Sequence, residues 1–63
     1  MIVYLEIWEN GKQTETLLKY DGNGFIPSIN DIIIGTFDDV FVHGKVFARV
    51  VNSSKIIVLR INN

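Results

Sequence analysis

The sequence predicts an all-β protein: a small barrel or rolled antiparallel sheet of five to six short strands, SH3-like or OB-like in size, with no significant helix. Three observations carry this. β-Branched and aromatic residues dominate every apolar run, and no run repeats with the 3.6-residue period of a helix. Turn signals punctuate the chain: Asn10-Gly11, Asp21-Gly22-Asn23-Gly24, Pro27, His43-Gly44 and Asn52-Ser53-Ser54. Finally, 63 residues suffice for one domain, residues 1–63, and short strands close their edges best by rolling up.

The elements follow in order. Residues 2–9, IVYLEIWE, form the first strand, with Val3, Leu5 and Ile7 on one face and Ile2, Tyr4, Glu6 and Trp8 on the other. Asn10-Gly11 is a strong hairpin signal, because both positions tolerate positive φ. Residues 12–20 return as the second strand. A two-residue turn sets Trp8 opposite Gln13 and Glu6 opposite Glu15; two like charges facing each other destabilise, so a bulge is the alternative. DGNG, residues 21–24, is a loop.

Pro27 has no N–H to give to a central ladder and holds Ile26 extended. It marks where pairing is blocked upstream of Ile32, Ile33 and Ile34. Those three read as a short strand apolar on both faces and covered on both. Residues 37–51 read as two strands around a turn at His43-Gly44. Residues 52–54 turn the chain, and residues 55–61 form the last strand, with Ile57, Leu59 and Ile61 on one face and Ile56, Val58 and Arg60 on the other.

Composition narrows the function. There is no cysteine, so neither a disulfide nor a Cys-based zinc site is available. The single histidine, His43, rules out a His-rich metal site within one chain. Six basic and seven acidic residues, scattered to a net charge of −1, argue against a nucleic-acid or anionic-membrane binder that works by charge. No apolar stretch approaches the ~20 residues of a membrane span. Met1 leads directly into a strand bearing Glu6 and Glu9, unlike a secretory leader. The expected setting is soluble and cytoplasmic.

Hydrophobic residues are 48% of the chain, a high share for a body with so much surface to cover. A homo-oligomer, a dimer first, is the expected consequence.

Catalytic options are sparse. His43 reads as a turn residue. Asp39 would project to its side only if one strand ran straight through, and together they could hold a metal only weakly. Ser28, Ser53 and Ser54 lie in turns. A facing Glu6–Glu15 pair could do acid–base chemistry, but on an open sheet face. DGNG has Phe25 where a calcium loop continues with ligands. We expect no enzyme, no metal and no cofactor. The surface of interest is aromatic and basic: Tyr4 and Trp8 on the first strand, and Lys45, Phe47 and Arg49 at alternate positions further on. Such a set takes protein or peptide partners, or stacks single-stranded nucleic acid.

The order of signals also resembles a group of small uncharacterised bacterial β proteins that share a P-x-x-G-D-x-I … G-K-x-Y-x-V pattern. The resemblance places Pro27, Asp31 and Ile33 in its first half, and Gly44, Lys45, Phe47 and Arg49 in its second. Asn30 stands where the pattern has glycine, and residues 36–42 exceed its short turn. The resemblance implies a small β fold and adds no chemistry. The function expected is a non-catalytic protein–protein interaction or self-associating module, bacterial or phage-encoded. The alternative is a small barrel that binds single-stranded nucleic acid.

Overall fold

The computed structural model describes all 63 residues. Five strands form one sheet: β1 (Ile2–Glu9), β2 (Lys12–Asp21), β3 (Ile32–Phe37), β4 (Val40–Val51) and β5 (Ile57–Asn62). Their order is β2-β1-β5-β4-β3. The sheet curls into a half-barrel around ten buried apolar side chains. The alternation read from the first and last strands holds. Val3, Leu5 and Ile7 of β1 and Ile57, Leu59 and Ile61 of β5 fill this core with Leu18, Ile33, Val42 and Val46. One pairing departs from the expected antiparallel pattern: β1 and β5 run parallel, Leu5 facing Leu59. The other three ladders are antiparallel.

The first hairpin turns on Asn10 (φ 53°) and Gly11 (φ 76°), two consecutive left-handed residues. Trp8 faces Gln13, as a two-residue turn requires. Two positions back along β1, however, Glu6 faces Leu17 rather than Glu15, because the ladder is irregular between Glu6 and Trp8. Thr14 stabilises the irregular segment, its hydroxyl donating to the Ile7 carbonyl at 2.8 Å and accepting from the Thr16 N–H at 3.2 Å. The two like charges are thus never opposed, and no Glu6–Glu15 pair exists.

Pro27 is buried and lies outside the ladders. After it the chain turns through residues 28–31, closed by Asp31 N–H donating to the Ser28 carbonyl at 3.1 Å. The Asp31 carboxylate accepts from the Ser28 N–H at 2.8 Å. Asn30 sits third in this turn at φ 78°, the position of a type II turn that favours glycine and next tolerates asparagine.

The expected turn at His43-Gly44 is not there. The chain reverses at Asp38 (φ 52°) and Asp39 (φ 65°), and β4 runs unbroken through His43 and Gly44. The strand is long because it serves two partners. Residues 40–45 pair with β3 and residues 45–51 pair with β5. The β3–β4 hairpin therefore folds over the inner face of the other strands and places Ile33 and Val42 in the core. Gly44 lies where β4 crosses the end of β5. A Cβ there would stand 2.6 Å from both the Asn62 carbonyl oxygen and Ile61 Cγ2. The glycine thus serves a close backbone approach, not a turn.

The roll does not close by hydrogen bonds, since β2 and β3 are its two edges. Aromatic rings bridge the gap instead. Tyr20 of β2 meets Phe37 of β3 edge-on, centroids 5.3 Å apart, and Phe25 at 5.8 Å. The Tyr20 hydroxyl donates to the Phe25 carbonyl at 3.1 Å. No helix of the fold is long and apolar enough to cross a membrane.

Candidate interaction surface

The outward row of β1 is Tyr4, Glu6 and Trp8, all half-buried. Parallel pairing sets Val58, Arg60 and Asn62 of β5 directly beside them. Glu6 and Arg60 therefore meet, Arg60 Nε donating to Glu6 Oε1 at 3.0 Å. The same oxygen accepts from Trp8 Nε1 at 3.2 Å. The Arg60 guanidinium also lies 5.7 Å from the Trp8 ring centroid. One carboxylate, one guanidinium and one indole thus hold each other in place.

Of the five residues picked out by pattern, the fold unites Trp8 and Phe47, whose rings meet edge-on at 5.4 Å. Tyr4 stands further along the same row, beside Val58. Lys45 faces outward opposite Asn62. Arg49 is the exception. The β4–β5 ladder is irregular between Val46 and Ala48, and Phe47 occupies the irregularity. Beyond it the facing reverses: Ala48 opposes outward Arg60, and Arg49 opposes Leu59 of the core row. Alternate spacing thus put Arg49 on the wrong side. The sequence offers Glu6 only as a partner of Glu15, and its pairing with Arg60 is not legible there, because nothing local shows that the last strand lies beside the first.

A second surface was misread. Ile32 and Ile34 are not covered on their outer face: they are 65% and 63% exposed. Their partners across the ladder are Lys45 and His43, and Thr36 faces Phe41, itself 67% exposed. The outside of the β3–β4 hairpin is therefore an open apolar patch with an exposed His43 in its middle. Only the inward residue of the isoleucine run, Ile33, is buried.

His43 lies mid-strand and Asp39 in the turn, and no three His, Asp or Glu side chains gather as metal ligands would. In the DGNG loop, Asp21 and Asn23 serve the chain itself. Asp21 Oδ1 accepts from the Asn23 N–H at 3.0 Å, and the N-terminal ammonium lies 3.6 Å from Asp21 and 3.2 Å from Asn23 Oδ1. Asn52 does similar work at the last turn, accepting from the Ser54 and Ile56 N–H groups at 2.9 and 3.1 Å. No family model, curated protein or solved structure matches the chain.

Proposed function

We propose that this protein is a non-catalytic interaction module that self-associates through its β3–β4 hairpin, the part of the sheet whose outer face is open and apolar. The observation that supports this best is the exposure of Ile32, Ile34 and Phe41, each more than 60% open and all on the outer face of one two-stranded ladder, Phe41 diagonal to Ile34. Contiguous apolar surface on a soluble body marks an interaction site, since it gains most from leaving water.

Single-stranded nucleic acid has less to recommend it. Trp8 and Phe47 present aromatic edges, but the cation beside them, Arg60, is already paired with Glu6, and Arg49 faces away. The readings separate by light scattering on a sizing column, across dilution and at two salt concentrations. Apolar self-association gives a mass above 7.2 kDa that falls on dilution and holds in salt. Ile34→Lys, on an exposed side chain, returns the mass to the monomer without loss of fold. A wild-type monomer throughout overturns the reading. Oligonucleotide binding that weakens steeply with salt favours the alternative.

A further inference from the structure

We infer that the second copy joins edge to edge, β3 against β3, so that two half-barrels share one continuous sheet; this rests on the self-association proposed above. The sheet has two free edges, β2 and β3. They are built differently. β2 carries Lys12, Glu15, Lys19 and Asp21, and its ladder to β1 is irregular. Charges and bulges are how natural sheets keep an edge from pairing with a stranger. β3, with the sequence IIIGTF, has no charge and no proline, and its ladder to β4 is regular from Ile32 to Phe37. None of the backbone hydrogen bonds outside the ladders reaches these six residues. Half of β3's backbone groups thus point away from β4 with no backbone partner.

The self-complementary register of β3 points to a second copy as the occupant. Antiparallel pairing of β3 with itself opposes no like charges. A two-fold axis through Ile34 sets Ile34 opposite its own copy, Ile32 opposite Thr36, and Ile33 opposite Gly35. The outward row stays outward, and the bulk of Ile33 meets a residue without a side chain. The pairing closes as a dimer, because the same edge is used on both sides. A β3-to-β2 union would instead leave an edge free at each end and grow. Edge pairing brings the two apolar patches side by side, each Ile32 and Ile34 shielded by its neighbours across the new ladder.

The test is amide hydrogen exchange followed by NMR at about 10 μM and about 1 mM, a range that spans weak dimers. The expected result is a doubled mass at the higher concentration, together with at least about tenfold slower exchange of the alternate β3 amides that point away from β4. Ile34→Lys and, independently, Thr36→Lys abolish both effects while the circular dichroism of the fold persists. An assembly whose outward β3 amides exchange as fast as in the dilute protein overturns edge pairing and leaves self-association standing. A monomer at about 1 mM overturns both, whether or not the edge then takes a strand from another protein.

Discussion

Gly44 shows how much of the fold can rest on the absence of a side chain. It belongs to the inward row of β4, between buried Val42 and Val46. The atoms a Cβ would strike include backbone of β5, which cannot swing aside as the end of a flexible side chain can. Gly44→Ala therefore costs about 3 kcal/mol, at the upper end of overpacking penalties. For a domain of this size that lowers the melting temperature by about 12 °C or more. Thermal unfolding followed by circular dichroism measures it. Gly24, with nothing within 4 Å of the position of its Cβ, supplies the control, and Gly24→Ala stays within about 0.5 kcal/mol of wild type. From sequence, His43-Gly44 passes for a turn because both residues tolerate positive φ. What distinguishes a turn glycine from a crossing glycine is a neighbour 18 residues away, Asn62, and no local pattern contains it.

At the level of elements, strands with a single buried face were legible and strands that change partner were not. β1 and β5 alternate cleanly, and each has its inward row in the core. β4 alternates too, but its irregularity at Phe47 reverses the facing halfway, and bulges leave little trace in composition. The isoleucine run was misjudged because an apolar strand covered on both faces and one left bare on one face read alike in a single chain. The Asp38-Asp39 turn was missed for another reason. Aspartate enters the left-handed region less readily than Asn-Gly, although both residues here adopt it. The pair is thus a weak point of the hairpin that carries the open apolar patch. Replacing Asp38-Asp39 by Asn-Gly gives this turn the chemistry already found at residues 10–11. It should stabilise the protein by about 0.5–1 kcal/mol in urea titration. An unchanged or lowered midpoint would show that the aspartates are held by more than their turn.

For the molecule as a whole, the open seam between β2 and β3 is closed by Tyr20. Its ring packs against Phe37 and Phe25, and burial raises its hydroxyl pKa above the usual 10.0. The unfolded chain releases that proton near the ordinary value, and the folded one holds it to higher pH. This contribution to stability is therefore whole below about pH 10 and is lost as the pH climbs through the folded-state pKa. Stability measured between pH 8 and pH 11 should fall more for the wild type than for Tyr20→Phe, which keeps the ring contacts without the titrating group. Equal slopes would mean that the seam stays wet. At neutral pH the same variant loses the bond to the Phe25 carbonyl, a net cost of about 1 kcal/mol at most for a partly exposed group.

The parallel pairing of β1 with β5 bears on how the chain comes into being. The last strand in the sequence is the middle strand of the sheet, hydrogen-bonded on both sides, to β1 and to β4. A polypeptide emerging from the ribosome can form the β1–β2 and β3–β4 hairpins as soon as each is made. The two stay separate until Ile57–Asn62 arrives to join them. Assembly is then a late, long-range step, slow by the rule that distant pairings delay folding. A transcript broken before that point would yield two hairpins with apolar faces and nothing between them, which is the form most exposed to aggregation and proteolysis.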